Sequence, residues 1–196
     1  HYKKSKDNKK VFREFFLQED LRERGRKINS FDADLTIIIH FNVDEKNEGW
    51  TTTTNKNFCM TFVPGAIFPG ALQKKEARFN LLRLMITNHF NKSVGASGLL
   101  SQKMSEILKV PLATTSDATY LEENCFYTQV PGVFCRNLAL TRLPHCPVVY
   151  GETLYQDNQQ EFKQLDLPQF KDGKIPPRLE LVAEAYFQGI LLYFSQ

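Results

Sequence analysis

The stretch that most constrains the fold runs from Ala33 to Asn42 and reads ADLTIIIHFN. Leu35 to Ile39 is a nearly continuous apolar run rich in β-branched residues, which is typical of a fully buried central strand. The run ends at His40, and in open α/β sheets the carboxyl ends of the strands are where ligands bind. We therefore predict a central strand that brings a histidine to a functional edge of the sheet.

A second buried strand is predicted at residues 147–150, PVVY, and it stops at Gly151-Glu152. If the two strands are parallel neighbours, His40 and Glu152 meet at one edge of the sheet. A neutral imidazole is a good metal ligand, and a carboxylate beside a metal-bound water can act as its general base. Residue type alone leaves another interpretation open, because a lone histidine at a strand end is more often structural and a lone glutamate is more often a helix cap or a surface charge.

Strands and helices alternate along the rest of the chain, which indicates an α/β fold. The 196 residues and a hydrophobic content of 42% suit one globular domain with a sizeable core. Shorter strands are predicted at residues 11–16 and 58–63, and a mixture of strand and bend at 132–142. Helices are predicted at residues 18–30, 74–90, 98–108, 158–165 and 178–194. We expect a loop or weak strand at 43–57, a loop at 111–131 and a linker at 173–177.

Charge and hydropathy narrow the range of partners. The net charge is +3, and five lysines stand in the first ten residues. We interpret that segment as a solvated chain end, with weak attraction to an anionic envelope polymer as the alternative. No basic stripe interleaved with aromatic residues recurs further on, so no nucleic-acid partner is expected. No apolar run reaches the ~18 residues needed to cross a bilayer, so no membrane span is expected.

The four cysteines are Cys59, Cys125, Cys135 and Cys146. They form no CxxC pair, which argues against a structural zinc knuckle. Disulfides and buried free thiols both stay open, and a bond between Cys125 and Cys135 would close a short loop.

The segment Leu21–Asn42 resembles a motif of the zinc-dependent N-acetylmuramoyl-L-alanine amidases. In that family an arginine-bearing helix ending in Asn precedes an Ala-Asp-Leu strand that ends Ser-Ile-His-x-Asn. The residues in register are Arg24, Asn29, Ala33-Asp34-Leu35 and Ile39-His40-Phe41-Asn42. Ile38 stands where the family usually has Ser.

The segment Pro147–Leu165 resembles a second motif of the same family: Pro, a hydrophobic strand, Glu-Thr-Gly-Phe, two residues, Asn, and an acidic helix ending in Leu. The residues that line up without a gap are Glu152-Thr153, Tyr155, Asn158, Glu161 and Leu165. Leu154 replaces the usual Gly, and Tyr155 replaces the usual Phe. Gly132-Val133, Arg136, Leu138, Leu140 and the final helix also resemble the family, so the likeness covers roughly residues 11–42 and 130–194.

The resemblance implies a single amidase catalytic domain over residues 1–196, with a twisted mixed sheet flanked by helices, phosphorylase/hydrolase-like. It implies hydrolysis of the amide between N-acetylmuramic acid and L-alanine in peptidoglycan, at one zinc held by two His and one Glu. By position, His40 resembles a protein ligand of the zinc and Glu152 the catalytic carboxylate. Arg136 is a candidate to bind a stem-peptide carboxylate, and Asn42 to orient His40 or the substrate.

The other two zinc ligands of the family precede the region that matches this chain. One is a His in an Asp-x-Gly-His-Gly-Gly segment, which this chain lacks, and the other is a later Glu. We expect a catalytic domain without its N-terminal strand and first metal-ligand segment. The alternative is a non-catalytic relative that binds cell-wall peptide or a partner protein. A third interpretation, another zinc amidohydrolase or carboxypeptidase on a similar sheet, is disfavoured by the Glu-Thr match.

Residues 50–130 are longer and less like the family than the flanking segments. They could be an inserted helical region that covers or regulates the cleft, or ordinary family variation. Because family members work outside the cytoplasmic membrane, we expect a periplasmic or secreted hydrolase. Peptidoglycan is the expected partner, and an activator protein is a further candidate.

Overall fold

The computed structural model of the protein describes residues 8–47, 49, 51–165 and 175–196. Within these residues the strands are β1 (Thr36–Asn42), β2 (Met60–Val63), β3 (Cys125–Tyr127), β4 (Val133–Arg136) and β5 (Val148–Tyr155). The α-helices are α1 (Asn8–Glu14), α2 (Leu21–Ser30), α3 (Lys75–Ile86), α4 (His89–Leu108), α5 (Thr119–Asn124), α6 (Ala139–Arg142), α7 (Gln159–Leu165) and α8 (Pro177–Phe194). A π-helix spans Phe15–Asp20, and 3₁₀-helices span Pro69–Gln73 and Thr115–Asp117.

The strands form one mixed sheet in the order β1-β5-β2-β4-β3. β1 runs parallel to β5, and β2 runs parallel to β4. β2 is antiparallel to β5, and β3 is antiparallel to β4. The predicted fold, a single α/β domain with a twisted mixed sheet flanked by helices, is confirmed.

α4 and α8 cover one face of the sheet and pack closely against each other. The core on this side consists mainly of Ala96, Leu100, Met104, Leu108, Val149, Leu154, Val182, Ala185 and Tyr186. Gly189 of α8 allows the close approach, because a Cβ there would lie 2.7 Å from Cδ1 of Leu100. The amphipathic helix predicted at residues 178–194 is therefore present as α8, with its apolar side in this core.

The opposite face of the sheet is partly covered by α5 and the chain around it. Its core consists mainly of Phe58, Met60, Phe62, Ala113, Ala118, Leu121, Phe134 and Tyr155. Alternate residues of each strand point to this face, since side chains alternate along a strand. The candidate site described below lies here, beside the aromatic part of the core.

β1 differs from the fully buried central strand that its sequence predicts. Within the described sheet its only partner is β5, and Ile39 is 55% exposed. The prediction of full burial is therefore wrong for the described residues. An apolar β-branched run favours a strand, but coverage depends on what lies beside that strand.

Residues 11–16, predicted as a strand, belong to α1 and to the π-helix that follows it. This prediction is wrong because six residues are too few for apolar periodicity to separate a strand from a helix. The helix predicted at 18–30 corresponds to the end of the π-helix and to α2.

The remaining elements follow the prediction in part. The segments predicted at 58–63 and 158–165 contain β2 and α7, and 132–142 divides into β4 and α6. The helix predicted at 74–90 ends earlier, as α3, and the next helix is longer than predicted because α4 already begins at His89. Residues 111–131, predicted as a loop, contain α5 and β3.

Three further expectations concern loops, thiols and the membrane. In the described part of segment 43–57 the only strand-like pairing is an isolated bridge between Thr54 and Asn158. Of the predicted linker at 173–177, residues 173 and 174 lie outside the described residues. All four cysteines are free thiols. No described helix combines the length and apolar character that a bilayer crossing requires.

Candidate active site

His40 and Glu152 lie side by side on neighbouring parallel strands. β1 and β5 pair so that His40 is directly opposite Glu152. His40 Nδ1 and Glu152 Oε2 are 2.8 Å apart, within hydrogen-bonding distance. Glu152 is only 5% exposed, whereas the side chain of His40 is 50% exposed. The structure thus forms the pair that the sequence predicted for parallel neighbouring strands.

β5 does not stop at Glu152, as the sequence predicted, but continues to Tyr155. The pairing with β1 is irregular beyond Glu152, since His40 pairs with Glu152 but Asn42 pairs with Tyr155. β5 therefore contains one extra residue here, which is the definition of a β-bulge.

The bulge turns two successive residues of β5 towards α4 and α8. Thr153 Oγ1 lies 2.8 Å from the Tyr186 hydroxyl, and Leu154 is fully buried in the core beside α4 and α8. Glu152 and Tyr155 consequently point to the other face. The bulge is the reason that Leu154, where the family pattern has Gly, fits as a core residue.

Aromatic rings surround the histidine on this face. The His40 and Tyr150 rings are 5.4 Å apart, and Tyr150 lies 6.3 Å from Phe62, centroid to centroid. Arg136, at the end of β4, extends over the same group: its Cζ is 4.9 Å from the Phe62 centroid and 4.6 Å from the Tyr120 centroid. The guanidinium is held against two rings, a favourable arrangement for a cation.

Asn42 is connected to this aromatic group through Tyr120. Asn42 Nδ2 donates a hydrogen bond to the Tyr120 hydroxyl at 2.9 Å, and Asn42 Oδ1 accepts one from the backbone N–H of Val43. Tyr120 therefore contacts both Asn42 and Arg136. All four residues singled out from the sequence lie around one region of the sheet face, in two pairs: His40 with Glu152, and Asn42 with Arg136 through Tyr120.

The electrostatics of the pair favour a charged histidine. The hydrogen bond to Glu152 raises the pKa of His40 above 6.5, while partial burial and the charge of Arg136 act in the opposite direction. Burial raises the pKa of Tyr150 to about 12 and also raises the pKa of Tyr120. Both phenols therefore stay protonated near neutral pH, and the imidazole of His40 is the group whose raised pKa brings a change of protonation into that range.

Sequence reasoning missed the aromatic residues of the site. Tyr150 and Phe62 lie in predicted strands, and each is two residues away from a residue whose side chain lines this face, Glu152 and Met60 respectively. The alternation of side chains along a strand could therefore have identified them. Tyr120 gave no such signal, because it lies in a segment predicted as a loop.

The sequence pattern of the N-acetylmuramoyl-L-alanine amidase family matches residues 1–190. The chain belongs to this family. No curated protein sequence matches the amidase chain significantly.

Solved amidase structures share the fold. The N-acetylmuramoyl-L-alanine amidase from Clostridium difficile 630 is 15% identical with a TM-score of 0.52, covering 90% of this chain and 66% of that one. The CwlD amidase from Clostridioides difficile, in complex with the GerS lipoprotein, is 18% identical with a TM-score of 0.55, covering 100% and 69%. Ami1 from Mycobacterium smegmatis is 14% identical with a TM-score of 0.54, covering 90% and 61%. This chain thus spans about two thirds of their length.

The zinc site implied by the family is not completed by the described residues. Among them, no group of three or more His, Cys, Asp or Glu side chains is placed to hold a metal ion. Zinc sites use three or four protein ligands, and no third ligand-type side chain of the described residues joins His40 and Glu152. Since Nδ1 of His40 faces Glu152, Nε2 is the nitrogen left for a metal, as in sites where a carboxylate orients the ligating histidine.

Proposed function

We propose that this amidase-family chain hydrolyses the amide bond between N-acetylmuramic acid and L-alanine in peptidoglycan, with Glu152 as the catalytic carboxylate. The observation that carries the proposal is the pairing of His40 with Glu152 at 2.8 Å on parallel strands, in a chain of this family.

Glu152 has the geometry of a proton carrier. One carboxylate oxygen, Oε2, is paired with His40, and no hydrogen bond to another described residue engages Oε1. Amide hydrolysis requires a base that removes a proton from the attacking water and an acid that protonates the departing amine. We assign both transfers to Oε1 of Glu152, while the hydrogen bond to His40 fixes the orientation of the carboxylate.

We propose His40 as the one zinc ligand among the described residues, through Nε2. Zinc, when bound, supplies polarisation of the scissile carbonyl and a more acidic water. A complete site needs further ligands from outside the described residues, so we assign no individual step to the metal. Metal content of the purified protein and its response to a chelator test this part of the proposal.

Arg136 and Asn42 are the proposed substrate-binding residues. The planar guanidinium of Arg136 can bind a carboxylate through two parallel hydrogen bonds, and the stem peptide carries carboxylates. Contacts with the Phe62 and Tyr120 rings hold that guanidinium in place. Tyr120 also holds Asn42, so we propose that α5 orders both binding residues, in line with a covering role for segment 50–130.

Peptidoglycan as substrate has consequences for partners and location. The polymer lies outside the cytoplasmic membrane, so we propose a periplasmic or secreted protein. The CwlD amidase was solved in complex with the GerS lipoprotein. By analogy we propose that an activator protein binds this chain as well, and co-purification from envelope fractions tests both points.

The decisive experiment is release of stem peptides from purified peptidoglycan by the wild type and by Glu152→Gln, with and without a chelator. We expect release by the wild type alone, and loss of release when the chelator is present. Activity that survives Glu152→Gln would rule out the catalytic assignment. Thermal unfolding of both proteins shows whether the variant is folded.

A protein that binds peptidoglycan without catalysis is the second candidate, and it is favoured by the lack of a complete ligand set among the described residues. In that case the wild type co-sediments with peptidoglycan, releases no stem peptide with or without added zinc, and binds as well with Glu152→Gln. Arg136→Ala would weaken co-sedimentation under both functions. Stem-peptide release by the wild type therefore distinguishes the two.

A further inference from the structure

Three buried side-chain donors without acceptors converge between α3 and α6. They are Asn80 Nδ2, Arg83 Nη1 and Arg142 Nε, and no described residue accepts a hydrogen bond from any of them. Asn80 is 6% exposed. In the part of the chain that the structure describes, only one other buried side-chain polar atom, Ser97 Oγ, lacks a partner. Since buried donors are nearly always paired in native proteins, such a concentration points to an acceptor at this place.

The same region carries positive charge that is only weakly compensated. Arg83 Nη2 donates to the carbonyl oxygen of Arg142 at 2.5 Å, which brings the two arginines together. Arg142 Nε lies 3.9 Å from the half-exposed carboxylate of Glu76, a long and solvent-screened ion pair. Burial lowers the pKa of Arg83, and burial followed by the charge of Arg83 lowers the pKa of His89 and of His145. A partly buried cation without a close anion is costly, so a negative ligand is favoured here.

A small cavity lies among these donors and sets the size of the ligand. It has a volume of about 10 Å³ and is lined by Asn80, Arg83, Arg142, Asn137, Pro64 and Gly65, among others. A volume of this order holds one particle about the size of a water molecule. Polyatomic anions such as phosphate are much larger than this, so a monatomic halide, only somewhat larger than a water molecule, is the anion whose size is nearest to that of the cavity.

We propose that this cavity binds a single halide ion, chloride under ordinary conditions, coordinated by Asn80, Arg83 and Arg142. A halide only accepts hydrogen bonds, which suits a cavity lined by three residues that each carry an unpaired buried donor. A water molecule in the same place would need acceptors for its own two hydrogens.

The halide fastens α3 to α6 and to the chain that follows β4. Arg142 Nη1 donates to Asn137 Oδ1 at 2.9 Å, and Asn137 directly follows Arg136. Halide binding therefore supports the segment from which Arg136 extends. The inference does not depend on amidase activity.

Crystals grown in bromide test the site directly, since bromide scatters anomalously. We expect an anomalous peak in the cavity within hydrogen-bonding distance of the three nitrogen atoms. We also expect the unfolding temperature to rise with chloride concentration when glutamate maintains the ionic strength, because a ligand that binds only the folded state stabilises it. A cavity without an anomalous peak, or filled by water alone, would overturn the proposal.

Asn80→Asp provides a matched variant, because its carboxylate supplies the missing negative charge from within the chain. We expect this variant to lose both the bromide peak and the chloride dependence. Asn91→Asp makes the same charge change at an exposed position of α4 and should retain both. Equal chloride dependence in the wild type and in Asn80→Asp would contradict the assignment. Should Asn80→Asp fail to fold, the bromide peak in the wild type decides alone.

Discussion

Glu152 and Glu161 are two buried carboxylates of one sequence motif, but their surroundings differ sharply. Glu161 is 3% exposed and accepts hydrogen bonds from Arg178 Nε at 2.7 Å, Arg178 Nη2 at 2.5 Å and Asn57 Nδ2 at 2.8 Å. Glu152 is 5% exposed and has one described side-chain partner, the half-exposed His40. The first carboxylate is fully paired with a permanent cation, whereas the second faces a group that can change its charge.

The difference is consistent with a structural role for Glu161 and with the chemical role that we propose for Glu152. Arg178 joins α8 to Glu161 on α7 and donates to the carbonyl oxygen of Leu108 at the end of α4. Three helices thus depend on one ion pair, which leaves no free oxygen for a substrate. Glu152 joins only two strands and keeps an oxygen available, as a catalytic group requires.

The largest effect is expected on activity, from Glu152→Gln. The amide keeps the size of the side chain but cannot carry a proton, so stem-peptide release should fall roughly 10²- to 10⁴-fold. Thermal unfolding should change little, because an amide can still accept the hydrogen bond from His40. The comparison would fail if Glu152→Gln unfolded the protein and left the activity per folded molecule intact.

Glu161→Gln should show the opposite pattern. Removing one partner of a buried pair leaves Arg178 charged and uncompensated, which typically costs about 3–5 kcal/mol. Urea unfolding of the variant measures this loss, and the activity per folded molecule should stay close to that of the wild type. The double variant Glu161→Gln/Arg178→Met is the control and should recover part of the stability. A stable Glu161→Gln protein with low activity would show that this carboxylate also has a chemical role.

Because His40 can change its charge, the His40–Glu152 pair should make the free energy of unfolding depend on pH, and the Glu161–Arg178 pair should not. Because the pKa of His40 is raised in the folded state, its contribution to stability is complete below pH 6.5 and is lost as the pH rises through the folded-state pKa. With metal removed by a chelator, we expect the stability difference between wild type and His40→Gln to shrink from pH 5 to pH 8, within the modest range of a half-exposed group.

Histidine titration by NMR supplies the control for that prediction. In the metal-free protein His40 should titrate above 6.5, and His145 below it, since burial and the charge of Arg83 lower the pKa of His145. A His40 midpoint below that of His145 would mean that the pair with Glu152 does not form in solution.

The two halves of the comparison were not equally predictable from the sequence. The His40–Glu152 pair follows from two apolar runs that stop near ionisable residues, together with an ungapped motif. The partner of Glu161 could not be predicted from the sequence, because Arg178 lies 17 residues away on another helix and no pattern links the two residues. The β-bulge beyond Glu152 was missed for a related reason: it depends on packing between β5 and α8.

The sheet, too, could be predicted from the sequence only in part. Strand existence at β1, β2 and β5 follows from apolar runs, because burial favours such residues locally. The order of strands and the exposure of β1 depend on contacts between distant segments. The position of Tyr120 could not be predicted in either way. Its short helix has no periodic apolar pattern, and its contacts form only where α5 meets Arg136 and Asn42.

The smallest effect is expected from Tyr120→Phe. This variant tests whether the residues around Glu152 serve substrate binding, in contrast to the residues around Glu161, which serve stability. The variant keeps the ring under Arg136 but removes the hydroxyl that accepts a hydrogen bond from Asn42. The loss of one neutral hydrogen bond is worth about 1 kcal/mol, so KM should rise roughly fivefold while kcat stays near the wild-type value. Tyr120→Leu removes the ring as well and should raise KM further through Arg136. A fall in kcat with unchanged KM would instead place Tyr120 in the chemistry of Glu152, and the division between binding and catalytic residues on this face would have to be redrawn.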